Sequence, residues 1–140
     1  MPVTSGRGFA ASALVLVVER DPHVRELEEY FLSEAGFSVE FAVDGIAALE
    51  IARAVGPAII VTEILVPKLD GLALCRAVKS SPELGDTAVL IFSILAANAR
   101  AIEAGADAFL MKPLAERRLV DTVRQLLARK KANDQNPARA

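Results

Sequence analysis

Two acids, a hydroxyl and a lysine stand at points in this chain where an apolar run gives way to a polar loop. Glu63 ends the run Ile59-Ile60-Val61-Thr62 and leads into a loop bearing Pro67 and Gly71, the stretch reading "IIVTEILVPKLDG". Glu19, Arg20 and Asp21 close an earlier run, Ser93 closes a third, and Lys112-Pro113 closes a fourth. A carboxylate placed this way can serve as a catalyst, as a ligand for a hard cation, or as a fixed charge paired with a base. Which of the three applies depends on the elements that carry these residues.

Apolar runs of strand length alternate with helical patterns. Ala13 to Val18 is continuous and rich in Val and Leu, as a strand buried on both faces should be. Asp21-Pro22 reads as an N-cap with proline at the first helical position, followed by Val24, Leu27 and Phe31 on one helical face and a stop at Gly36. Phe37, Val39 and Phe41 alternate with Ser38 and Glu40, which suggests an outer strand with one wetter face. Asp44 caps a second helix carrying Ile46, Leu49 and Ala52 and ending at Gly56-Pro57. Ala58 to Thr62 is the next buried strand, then a helix over about Leu72 to Lys79, a strand over Val89 to Phe92, a short Ala-rich helix up to Ala104, a strand over Ala108 to Met111, and a last helix from about Leu114 to Lys131. Five strand–helix alternations imply a parallel sheet covered by helices on both faces. In such a sheet ligands bind beyond the carboxyl ends of the strands, and those ends are where Glu19, Asp21, Glu63, Ser93 and Lys112 fall.

The bulk composition narrows the classes. The chain has 140 residues, 53% hydrophobic and 24% charged, with a formal charge of −2, so it is a one-domain globular sequence with no broad pull toward nucleic acid or an anionic membrane. The single cysteine, Cys75, excludes an internal disulfide and any multi-cysteine zinc site within the chain and suits a reducing, cytoplasmic setting; on the third helix it reads as a small core residue. The Phe9–Val18 run is β-branched and runs into Glu19-Arg20-Asp21, unlike a signal-peptide core, and no run has the apolar length of a membrane span. Residues 1–11 and 132–140 are expected to be flexible tails around a domain at 12–131, the ending "KKANDQNPARA" reading as a linker. His23 reads as a surface residue, and the basic residues of the last helix, from Arg117 to Lys131, complement the helix dipole better than they suit DNA.

Across about Leu14 to Leu127 the chain resembles the receiver domains of bacterial two-component response regulators, through "LVLVVERDP", "IIVTEILVPKLDG", "VLIFS" and "GADAFLMKPL" in that order and spacing. The resemblance implies a flavodoxin-like (CheY-like), doubly wound α/β fold with a five-stranded parallel sheet of order 2-1-3-4-5. It also implies Mg²⁺ binding and phosphoryl transfer onto an aspartate after the third strand. Ser93 and Lys112 match the family's phosphate-contacting hydroxyl and lysine, and Phe109 its aromatic switch position. The acidic pair after the first strand is here Glu19 and Arg20, and the phospho-acceptor position holds Glu63. The segment from Ser93 to Gly105 is a few residues short, so a truncated fourth helix is expected.

These departures set the functional expectation. The charges of Glu19, Arg20, Glu63 and Lys112 cancel, and Asp21 would add only one negative charge. Each longer carboxylate is displaced by about 1.3 Å, roughly one bond's projection, which Mg²⁺ with its strict octahedral shell tolerates poorly. Arg20 is expected to pair with Glu63 or Glu19 in the space a metal would take. The expected protein is therefore a degenerate (pseudo-) receiver without cofactor or catalysis, binding a protein partner through its fourth helix, fifth strand and fifth helix. The alternative is a phospho-accepting receiver using Glu63 with a weakened Mg²⁺ site.

Overall fold

The computed structural model describes residues 12–113 and 115–134. Its elements, in chain order, are β1 (Leu14–Val18), α1 (Pro22–Glu34), β2 (Ser38–Ala42), α2 (Gly45–Val55), β3 (Ile59–Thr62), α3 (Gly71–Ser80), a single 3₁₀ turn (Pro82–Leu84), β4 (Ala88–Ser93), α4 (Asn98–Glu103), β5 (Ala108–Met111) and α5 (Glu116–Asp134). All strand pairs are parallel, and the sheet order is β2-β1-β3-β4-β5, as the resemblance implies.

The alternation of side chains along each strand divides the core into two layers. Leu16, Val18, Ile60, Val89 and Ile91 point to one face, where they meet Ala48 and Ala52 of α2, Leu74, Cys75 and Val78 of α3, and Ala101 of α4. Val15, Val17, Ile59, Val61, Leu90 and Phe92 point to the other, against Leu32 of α1 and Leu119, Val123 and Leu126 of α5. Phe109 is half-buried and packs on the first layer, and Cys75 is fully buried there, its thiol pushed up to about 11 by burial.

The helix starts follow the sequence. Asp21 accepts from the backbone N–H groups of His23 and Val24, Asp44 from Ala47 and Asp70 from Ala73. Gly56 ends α2 in the left-handed conformation at φ 57°. Gly71 serves by closeness instead: a Cβ there would lie 2.3 Å from the Glu63 carbonyl oxygen, so only glycine lets α3 start against the end of β3. The fourth helix is short, as expected. The last helix continues to Asp134, past the stop expected at Lys131; residues 1–11 and 135–140 lie outside the described residues.

One helix is turned differently from its expected face. Val24, Leu27 and Phe31 mark the apolar face in the sequence, yet Leu27 is 58% exposed, and the buried positions of α1 are Glu28 and Leu32. The helix sits on the sheet through the 28–32 row, one residue around from the apolar stripe. β2 shows a related compromise: Phe41 on this edge strand is exposed, with the Arg25 guanidinium 4.6 Å from its ring centroid.

Candidate functional site

The strand ends bring Glu19, Glu63, Ser93 and Lys112 into one buried cluster, as their positions in the sequence imply. Lys112 follows β5 and precedes Pro113 across a cis peptide bond. Its ammonium donates to Glu19 Oε1 in a short contact and to Glu63 Oε1 at 3.3 Å. It also lies 3.7 Å from Glu28 Oε2 and 5.2 Å from the Phe92 ring centroid. One ammonium thus faces three carboxyl groups. Burial disfavours the charge on Lys112, but the hydrogen bond to Glu19 and the fields of Glu28, Glu19 and Glu63 outweigh it and hold its pKa above the ordinary lysine value.

Glu63 is saturated by its surroundings. Its Oε2 accepts from the backbone N–H groups of Ile64 (2.6 Å) and Leu65 (3.3 Å) and from the Ser93 hydroxyl in a short contact. Its Oε1 accepts from the Ile94 N–H at 3.2 Å and from Lys112. Five donors meet a carboxylate that has about four lone-pair sites. Burial pushes its pKa up, but the Ser93 hydroxyl, Lys112 and the two backbone N–H groups prevail and hold it below the usual carboxylate range. Ser93 Oγ in turn accepts from the Leu95 N–H at 3.1 Å, so the hydroxyl is fixed from both sides.

Arg20 does not join the cluster. It is exposed on the rim of a cavity of about 230 Å³ lined also by Glu19, Asp21, Glu63 and Lys112, and among the described residues it forms no ion pair. The expected Arg20 pairing with Glu63 or Glu19 is therefore replaced by Lys112, whose ammonium already lies between both carboxylates. Lys112 is 10% exposed and hydrogen-bonded on two sides, whereas a guanidinium adjacent to β1 gains more from water than from entry. Asp21 is likewise occupied: it caps α1, and its own N–H donates to Glu19 Oε2 at 3.0 Å.

Glu28 is the residue that sequence reasoning passed over. It enters from α1 and is 5% exposed; with Arg20 outside, Glu19 and Glu63 outnumber Lys112, so the cluster is acidic and not neutral. Burial is the main cause that raises its pKa from 4.5 to about 8; Lys112 opposes this, while Glu19 and Glu63 add to it. Near neutral pH Glu28 keeps its proton, and its contact with Lys112 is one of a neutral carboxyl with a cation. The signal was present: Val24, Glu28 and Leu32 share a row at spacing four, and one acid sits between two apolar residues.

The family model described as response regulator receiver domain matches residues 15–124. The chain belongs to the response regulator receiver family. The response regulator MprA of Mycobacterium ulcerans (strain Agy99) is 36% identical over 130 residues, 91% of this chain and 55% of that protein. MprA of Mycobacterium leprae (strain TN) is 37% identical over 123 residues, covering 86% and 53%. This chain spans about half the length of these regulators. Among solved structures, the signal receiver domain of a signal transduction histidine kinase from Syntrophus aciditrophicus superposes with a TM-score of 0.79 at 32% identity, covering 84% of this chain and 91% of that one. The chemotaxis response regulator CheY4 of Vibrio cholerae gives 0.78 at 25% identity, covering 82% and 98%.

Receiver chemistry calls for Mg²⁺, and the residues of this receiver do not fit it. Both oxygens of Glu19 and both of Glu63 are engaged by internal donors, and the ammonium of Lys112 stands between them. Among the described residues no group of three or more His, Cys, Asp or Glu is placed to hold a metal ion. A divalent cation would have to displace Lys112 and recruit ligands whose lone pairs are already committed.

Proposed function

We propose that this receiver domain acts in signal transduction without phosphorylation, as a non-catalytic protein-interaction module. The observation that carries the reading is the state of Glu63. Its carboxylate is surrounded by the Ser93 hydroxyl, Lys112 and the backbone N–H groups of Ile64, Leu65 and Ile94. Ser93 and Lys112 are the positions through which the family contacts a phosphoryl group, so here the longer side chain fills the donor cradle itself. An oxygen acting as nucleophile would have to give up charge-assisted hydrogen bonds worth roughly 1.5–3 kcal/mol each, without a metal to neutralise the incoming group. The domain is thereby held in one arrangement.

The partner surface is α4, β5 and α5. Ile102 on the short α4 and Met111 at the end of β5 are exposed, apolar side chains that a protein partner could cover. The test treats the protein with acetyl phosphate and Mg²⁺ and measures intact mass under neutral and acid conditions. The wild type is expected to stay unmodified, while the Glu63→Asp, Arg20→Asp double variant, with a shorter acceptor and a restored acid, serves as the gain-of-function arm. A stoichiometric, acid-labile adduct on the wild type overturns the reading.

A further inference from the structure

Beside the acidic cluster lies a second, larger cavity, about 440 Å³, between α1 and the start of α5. Its walls are apolar: Val24, Leu27 and Phe31 of α1, Ile94 after β4, and Leu119 of α5. Leu27 and Ile94 are 58% and 61% exposed, so these walls open onto solvent. The volume is in the range of sites that take small organic molecules. The floor is polar and carries both Glu28 and Lys112. Glu28, 5% exposed, lines the cavity; among the described residues its ion-pair partner is Lys112, and no backbone N–H engages its carboxyl group. Glu19 and Glu63 lie behind Lys112, and Glu116 stands at the mouth. With Glu28 neutral or ionised, the carboxylates outnumber the single ammonium, so the cavity end is negative in either state.

We propose that this cavity is a binding site for a small amphipathic ammonium, its hydrocarbon body against Leu27, Phe31, Ile94 and Leu119 and its cationic head at Glu28. The charge selects the class. A carboxylate ligand would meet Lys112 only at the cost of facing Glu19, Glu28 and Glu63, and a neutral ligand would leave the excess of acid uncompensated. A primary ammonium supplies both an apolar body for the walls and donors for the unengaged carboxyl oxygen. The cavity adjoins the Glu63 cradle at Lys112, and its occupancy can be tested with no phosphate present.

The test is a methyl-detected NMR titration of the full chain with three probes of one shape and different heads: phenylbutylammonium, phenylbutanol and phenylbutanoate. The ammonium is expected to give saturable shifts at the methyls of Val24, Leu27, Ile94 and Leu119, with an affinity about tenfold above the alcohol, as one charge-assisted contact provides. The carboxylate is expected to bind weakest. In the same titration at about pH 9, where Glu28 is ionised, Glu28→Gln, a near-isostere, should abolish the preference for ammonium over alcohol while leaving alcohol binding in place. Leu27→Gln, at an exposed position, should weaken both. Equal binding of ammonium and alcohol in the wild type overturns the proposal. So does preference for the carboxylate, a preference that survives Glu28→Gln, or the absence of saturable shifts at these methyls.

Discussion

Glu28 makes the stability of this domain depend on pH in a direction opposite to that of an ordinary carboxylate. In the unfolded chain its pKa is near 4.5, and in the folded domain burial raises it to about 8. Below 4.5 both states hold the proton. Between these values the unfolded chain has released it while the native state keeps it, so each rise in pH favours unfolding; above about 8 both states are ionised and the effect levels off. The contribution is thus fully present in acid and lost as pH rises through the window. At 1.36 kcal/mol per pH unit, the interval from 4.5 to about 8 bounds the loss at roughly 5 kcal/mol. Glu28→Gln removes the ionisation and keeps the volume. Urea unfolding of wild type and variant from about pH 5 to about pH 9 should give similar stabilities at the acid end and a variant more stable by several kcal/mol at the alkaline end. Glu63, whose pKa is lowered, titrates below this window and affects both proteins alike. A stability difference that stays constant across the whole range would refute the reasoning, because no group would then be titrating between the two values.

Lys112→Met should be among the most damaging single changes. It leaves Glu19 and Glu63 buried without their shared cation, at a cost of roughly 3–5 kcal/mol, and thermal melting that shows no loss would contradict the pairing. Arg20→Ala, by contrast, should change stability by less than about 0.5 kcal/mol, since the side chain is exposed and unpaired among the described residues. A large drop in its melting temperature would place Arg20 inside the cluster after all.

Much of this protein can be read from its residues in order. Strand runs such as Leu14–Val18 and Ile59–Thr62 are buried on both faces and continuously apolar, so they stand out without tertiary information. The helix starts at Asp21 and Asp44 are equally legible, because capping is a contact within three residues. The topology follows from alternation and handedness, and the strand ends then place Glu19, Glu63, Ser93 and Lys112 at one edge.

What stayed hidden was the direction of side chains relative to partners far away in sequence. Nothing near Arg20 reveals that it faces solvent while Lys112, ninety-odd residues later, takes its expected place between Glu19 and Glu63. Nothing near Glu28 reveals that α1 is rotated by one residue, burying an acid and opening Leu27. Local sequence determined the elements, their caps and their order, because those depend on periodicity and on contacts a few residues apart. The packing of α1 and the approach of β5 decided the charge of the site, because a buried carboxyl takes its pKa from burial and from whichever cation the fold brings within reach.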